Sequence, residues 1–281
     1  MIIEKPGIYK NTSNEDYHAS NGLSNSQMSF LLPPHCPKMF WYQNLSGRVE
    51  RKESAAFDLG TAVHTMVFEP DEFKNRFHCV IEVPNKNTTI GKAAFIGMKK
   101  AAAGRIVLDK EQQDTIHWMS ANITSHAMWK SVKGDRTGCI EDSLAWIDQE
   151  TGVLLRSRPD FYTDDIIIDL KTTKDSSPHA FQKAVADYSY HRQGALSTDG
   201  LSILTNKEYR NVILFVVDKK PPHFVRCYVM TDNALNQGKY EYKYAAHQYK
   251  KCIDSGIWES YPEIIEDLDL PNWAYREFIN E

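Results

Sequence analysis

The sequence has no run of about 18 apolar residues, the length a membrane-spanning helix needs, so no membrane association is expected. Its start, "MIIEKPGIYK", carries no apolar core of a secretory leader, and none is expected to be cleaved. The five cysteines, Cys36, Cys79, Cys139, Cys227 and Cys252, are odd in number, far apart and never spaced C-x-x-C. That pattern argues against a disulfide framework, a zinc ribbon and a compact iron–sulfur motif, and it points to a reducing, cytoplasmic setting. No Pro/Gly/Ser-rich linker, internal repeat or low-complexity tract interrupts the chain. A positive balance is also missing. The net charge is -4, which does not advertise a nucleic-acid binder.

What is present is an ordinary globular mixture of 281 residues, 42% hydrophobic and 25% charged, long enough to bury a substantial core. Without a linker, one domain over 1–281 is expected. It would comprise a mostly helical part (1–135), a sheet core (136–230) and a C-terminal helix with an irregular tail (231–281). The charge is unevenly spread: residues 256–281 hold seven acids and one base, which leaves the rest slightly positive. Two basic clusters, "KKAAAGR" at 99–105 and "KSVKGDR" at 130–136, offer either a phosphate-binding surface or merely a solvated helix face and a turn.

Periodicity gives a coarse outline. Ser24 stands three residues before Gln27, the spacing of a capping box, and starts a first helix that "PPHCP" ends. "AAFDLGTAVHTMVF" places Ala62, Val63, Met66 and Val67 at helical spacing. Further helices are expected over 91–105 and 110–130, the second with Ile116, Met119, Ile123 and Ala127 as its apolar stripe. "CIEDSLAWID", "GVLLRSRP" and "DIIIDLKT" read as three strands, the first two joined by a turn in "DQETGV". A helix opened by Pro178, another over 191–201, two strands around "KKPPH" and a long helix over 232–255 complete a mixed α/β pattern with a central sheet.

Within it, "RPDFYTDDIIIDLKTT" places Asp160 after a proline and Asp169 two residues from Lys171. Alternation on a strand puts Asp169 and Lys171 on the face of Ile167, leaving Ile166, Ile168 and Leu170 to pack. If the flanking strands form a hairpin, Asp160 approaches Asp169 at a sheet edge. Two carboxylates so close suit Mg²⁺, which takes one or two carboxylates plus waters and phosphate oxygens. A neighbouring lysine can orient water or neutralise phosphate. This is the equipment of phosphodiester hydrolysis, although D-x-K alone also describes a surface ion pair. His64 sits on a helix one turn after Gly60, which permits close approach of a backbone or ligand. A lone helical histidine is more often a satisfied packing residue, and His64 gains weight only in combination with the other residues.

Taken together, the blocks "LGTAVH", "E-x-S-x-x-W" (from Glu141), "ETG-x-L-x-R-x-RPD", "DLKTT", "DY-x-YH-x-Q" (ending at Gln193) and "LPNWA" resemble, in order, the nuclease domain of the RecE (exonuclease VIII) family. Within it, "RPD…IIDLKTT" is similar to the PD-(D/E)xK nuclease signature. The resemblance implies a restriction-endonuclease-like α/β core, a central mixed β-sheet flanked by helices. It implies Mg²⁺-dependent 5′-to-3′ degradation of double-stranded DNA ends, with Mn²⁺ able to substitute. It further implies a ring-like homo-oligomer, a tetramer by preference, working beside a single-strand annealing protein in phage-type recombination. By matching position, His64, Asp160, Asp169 and the Leu170 carbonyl would be metal ligands, and Lys171 the catalytic lysine. Glu141 falls in a matching block and would either steady Arg156 or Arg158 or lie near the metal. Gln193 matches the glutamine of a Q-x-x-x-Y motif that holds DNA. The fifth position here is Ser197, which leaves Tyr188 and Tyr190 as substitutes or as core residues. A site-specific restriction-type endonuclease and a non-catalytic DNA-end-binding module remain the alternatives.

Overall fold

The computed structural model describes residues 1–49, 58–85, 87–271 and 275. Residues 55–57 of the segment read as a helix, 272–274 of the closing block and 276–281 of the acidic terminus lie outside them. In chain order the elements are β1 (Gly7–Tyr9), α1 (Asn14–Ala19), α2 (Asn25–Met28), a 3₁₀ turn, α3 (Pro37–Asn44), α4 (Leu59–Phe68), α5 (Pro70–Arg76), β2 (Phe77–Cys79), α6 (Thr89–Ala102) and β3 (Ile106–Leu108). They continue with α7 (Lys110–Ser125), α8 (Ala127–Val132), β4 (Cys139–Ile140), β5 (Ser143–Ile147), β6 (Leu154–Ser157), β7 (Phe161–Tyr162) and β8 (Ile166–Thr173). The last are α9 (Pro178–Asp187), α10 (Tyr190–Thr205), β9 (Asn211–Asp218), β10 (Val225–Val229) and α11 (Asp232–Ser255).

Local chemistry explains many of the boundaries. Ser24 and Gln27 form the reciprocal capping box that starts α2, and Asp109 with Gln112 does the same for α7. The Asp58 carboxylate accepts from Gly60 N and Thr61 N and so opens α4. Pro178 occupies the first turn of α9, where its missing N–H costs nothing. Gly256, with a φ of 68°, ends α11 in the left-handed region.

A five-stranded mixed sheet orders its strands β10-β9-β8-β7-β4, with β8 and β9 parallel and the other pairs antiparallel. Alternate residues of its central strands enter two cores. Ile167, Val212, Leu214 and Val216 pack with α10 and α11, whereas Ile166, Ile168, Leu170, Ile213, Phe215 and Val217 pack with α4, α5, α7 and α8. Helices therefore cover both faces, and the expectation of one packing face on β8 is corrected: the face of Ile167 is as buried as the other. The α10–α11 contact is tight, because a Cβ at Gly238 would stand 2.4 Å from the His191 carbonyl oxygen.

Two further readings need correction. The segment "CIEDSLAWID" is not one strand. β4 belongs to the five-stranded sheet, and β5 joins β1 and β6 in a three-stranded one. The same antiparallel register nevertheless runs through both: Ile140 faces Phe161, and Leu144 faces Ser157. One hairpin thus bends from sheet to sheet at Glu141, whose φ of 48° is left-handed, opposite the Pro159 stretch. Pro159 has no N–H to give a ladder, so pairing lapses at that corner. The helix read over 110–130 also breaks. His126 is extended and caps α8, and the exposed Ala127 yields its place in the core to Trp129.

Candidate active site

The site is assembled where β7 stops beside β8. Phe161 pairs with Ile168, and the next residue on each strand is Asp160 and Asp169. There the ladder is completed by a side chain: Asp160 Oδ2 accepts from Leu170 N at 2.7 Å. The position is not the sheet edge that was expected, since β8 is the middle strand; it is a local opening left by the brevity of β7.

Asp169 and Lys171 point from β8 toward α10, continuing the face of Ile167. Lys171 Nζ lies 2.7 Å from Asp169 Oδ2. Gln193 closes the group, accepting from Lys171 Nζ at 3.1 Å and donating to Asp169 Oδ1 at 3.0 Å. Tyr190, one turn earlier on α10, puts its ring 4.6 Å from Nζ. From the other side, α4 brings His64, whose Nε2 donates to the Leu170 carbonyl oxygen at 2.6 Å while Nδ1 lies 3.5 Å from Asp160 Oδ2. A Cβ at Gly60 would meet Thr172 Oγ1 at 3.4 Å, ordinary contact distance, so that glycine lets α4 lie close on β8 without being the sole residue that fits.

The electrostatics are unbalanced. Burial, with Asp169 beside it, pushes the Asp160 carboxyl up to about 6 against the pull of His64 and Lys171. Burial works against the Lys171 ammonium, but the Asp169 and Asp160 carboxylates outweigh it and hold the amine above its ordinary value. Asp169 Oδ2 is buried against the Lys171 ammonium and keeps acceptor capacity beyond that ion pair. Among the described residues, no three His, Cys, Asp or Glu side chains stand ready as a metal cage. Mg²⁺ does not require one: two carboxylates and a carbonyl, completed by water, are a fitting donor set. The Leu170 carbonyl already spends one lone pair on His64. A histidine that gives its other N–H to a carbonyl is the usual arrangement of an oriented ligand.

A family model described as PDDEXK-like domain of unknown function (DUF3799) matches residues 24–271. The chain belongs to that family. A PDDEXK-like domain is a nuclease-type domain, and the D…D-x-K residues of this one are Asp160, Asp169 and Lys171. Among solved structures, a candidate exonuclease from Eubacterium rectale superposes with a TM-score of 0.57 at 14% identity, over 93% of this chain and 96% of its own. At that identity the likeness speaks for the restriction-endonuclease-like fold. No curated protein matches.

The PDDEXK-like core thus brings together His64, Asp160, Asp169, Leu170, Lys171, Gln193 and Tyr190. Tyr188 lies one ring farther out, stacked on Tyr190 with centroids 5.6 Å apart. Ser197 is buried and hydrogen-bonded to Ser157, so the fifth position of the glutamine motif faces the core. Glu141 sits at the hairpin bend, where its N–H donates to the Asp160 carbonyl. Burial, with the Glu141 charge beside it, holds Glu69 above its ordinary value, and burial holds Arg158 below its own against the pull of Tyr17 and Glu141. Arg158 itself donates to Ser143 and Thr12 and stacks on Tyr17, 4.1 Å from the ring centroid. Of the basic clusters, Arg136 pairs with Asp165, and Lys133 donates back to its own turn. Asp58 was not anticipated. It fixes the start of the helix that carries His64, and its signal was the capping residue just ahead of "LGTAVH".

Proposed function

We propose that the chain is a Mg²⁺-dependent exonuclease that degrades double-stranded DNA from its ends, 5′ to 3′, and leaves 3′ single-stranded tails for an annealing partner. The RecE-like motifs and the name of the Eubacterium rectale neighbour support this reading. One observation carries it: two carboxylates, the buried Asp169 and the partly buried Asp160, gather at the Lys171 ammonium with acceptor capacity to spare.

In this reading His64, Asp160, Asp169 and the Leu170 carbonyl would hold the ion. Mg²⁺, when bound, supplies positive charge that acidifies the attacking water and offsets the phosphate. Lys171 faces the reacting phosphate, where its ammonium donates to a non-bridging oxygen and steadies the charge that builds on it. Water adds to phosphorus, the bond to the 3′ oxygen breaks, and that oxygen takes up a proton; a 5′-mononucleotide leaves. Gln193 keeps the Lys171 amine and the Asp169 carboxylate in register throughout. His64, anchored on Leu170, also fixes the middle of β8, which carries Asp169 and the Leu170 carbonyl.

With a net charge of -4, the chain has no global attraction to DNA, and enclosing the duplex in a homo-oligomeric ring, a tetramer by family resemblance, would multiply weak contacts. A cytoplasmic recombination role follows from the same resemblance. Among the described residues no helix is long and apolar enough to cross a membrane.

The test is incubation of end-labelled linear duplex and covalently closed circular DNA with Mg²⁺ or EDTA, with light scattering to count subunits. Mg²⁺-dependent loss of the linear form to mononucleotides, with the circle intact, is expected. Cutting of the circle at discrete sites would replace this reading with a restriction-type endonuclease. Binding of ends without hydrolysis would leave an end-binding module.

A further inference from the structure

Outward from Lys171 the site ends in two tyrosines. Tyr190 caps the ammonium, its ring centroid 4.6 Å from Nζ. Tyr188 lies against Tyr190 with centroids 5.6 Å apart and planes only 22° from parallel. Tyr188 ends α9 and Tyr190 begins α10. Ser189 between them adopts a left-handed conformation, φ 55° and ψ 41°, which costs a non-glycine residue about 1–2 kcal/mol. That turn sends both rings to the same side of the chain.

The two rings have different fates. Tyr190 is half-buried over the lysine, while Tyr188 is 66% exposed. A tyrosine that served the core would bury its ring. Tyr188 instead presents a flat apolar surface at the mouth of the carboxylate–lysine group, backed by a second ring and a fixed positive charge.

We propose that Tyr188 is a stacking platform for one unpaired nucleobase, that of the nucleotide next to the phosphate being cut. The proposal rests on the nuclease reading above and adds how the site recognises an end. Inside a duplex both faces of a base are covered by neighbours, so an internal base would have to be unpaired and unstacked from both sides, whereas an end base leaves its pair with only one stacking face to break. Opening the last pair is cheapest where the helix already frays. Tyr188 therefore makes the site select strand ends over continuous duplex, whatever their sequence, since every base offers a π face. Tyr190 is the positioning residue behind it: clamped by Lys171, it keeps the platform flat.

The experiment uses the full chain and short duplexes whose 5′-terminal nucleotide carries a base or is abasic. Binding is read by fluorescence anisotropy with Ca²⁺, a cation that takes the same oxygen ligands, and hydrolysis is read separately with Mg²⁺. Wild type is expected to prefer the base-containing end by about tenfold in Kd and in KM. Tyr188→Ala should lose that preference, and Tyr188→Trp should keep it. Equal weakening of both substrates by Tyr188→Ala would mean that the ring only props up the site, and an unchanged preference would mean that the base lies elsewhere; either overturns the proposal. Absence of hydrolysis by wild type in Mg²⁺ would defeat the nuclease reading instead, while the Ca²⁺ arm still decides whether Tyr188 stacks a base.

Discussion

One turn of α10 faces two clusters of buried charge, and they are built on opposite terms. His191 and Arg192 face α11 and α2. There Arg192 donates to Asn25 Oδ1, to the Asn25 carbonyl, to Ser29 Oγ and to Glu241 Oε2, while Glu241 Oε1 receives His191 at 2.9 Å and Gln237 at 3.0 Å. Charge is matched and the donors are taken up. Tyr190 and Gln193, on the other side of the same turn, face β8. There two carboxylates share one ammonium, an oxygen of Asp169 keeps a free lone pair, and Asp160 is held up to about 6. A satisfied network fixes structure; an unsatisfied one is a standing cost that persists where a ligand completes it. The same helix turn therefore separates a joint from a site.

The comparison breaks most sharply if the joint and the site respond alike to mutation. Asp169→Asn should cut turnover at least about a thousandfold, since it removes a group on which the whole site depends. Because it also relieves repulsion on Asp160, it should leave Tm within about 3 °C of wild type. Wild-type turnover, or a collapsed Tm, would make Asp169 a structural ion-pair partner.

Arg192→Leu is the mirror experiment. It leaves the partly buried Glu241 to His191 and Gln237 and takes the donor from Asn25 and Ser29, and it should cost about 1.5–3 kcal/mol in urea unfolding, with the turnover of the folded fraction retained. A cost below about 1 kcal/mol would show that the joint contributes little.

His64→Ala lies between the two. As a metal-site residue it should weaken Mn²⁺ affinity about 10–100-fold with little change in metal-free Tm. If the ring instead serves Phe68, with which its centroid lies 6.1 Å away, the metal-free Tm falls and affinity holds.

The smallest effect is one of pH. The hydrogen bond to Glu241 raises His191 above its ordinary 6.5. The stability this contributes is complete below the unfolded value and is lost as pH rises through the higher folded one. Wild type should lose more Tm than Glu241→Gln does between about pH 6 and pH 8.5. Parallel slopes for the two proteins would remove His191 from the joint's electrostatics.

Much of the site was legible because its signals are local. The D-x-K alternation, the proline before Asp160 and the helical spacing around His64 each depend on a few neighbouring residues. The architecture around them was less so. Nothing in "CIEDSLAWID" advertises a left-handed residue, yet Glu141 takes φ 48° and divides the segment between two sheets. β1 is three residues long and pairs with β5 across most of the N-terminal half, so only tertiary context defines it. The two-sided burial of β8 arises from helices far along the chain, and a period of two cannot reveal it. Tyr190 against Lys171 depends on how α10 lies across β8, which spacing alone does not fix.

The bent hairpin has a consequence for how this chain can change in length. A residue added to the turn at Gly152, where φ is 71°, disturbs the tie from Asp148 and Glu150 to Lys243 of α11 but lies beyond the last paired residues of β5 and β6 and leaves their register alone. A residue added between Ser157 and Phe161 acts on two sheets at once. Held in place by β6 on one side and β7 on the other, the corner would rotate, and the acid after Pro159 would turn away from β8. Leu170 N would then lose its side-chain acceptor, although the strands on both sides still pair. Such an insertion would yield a protein with native helices and sheets whose two carboxylates never meet. Relatives should therefore tolerate a change of length at the tip of this hairpin better than at its elbow.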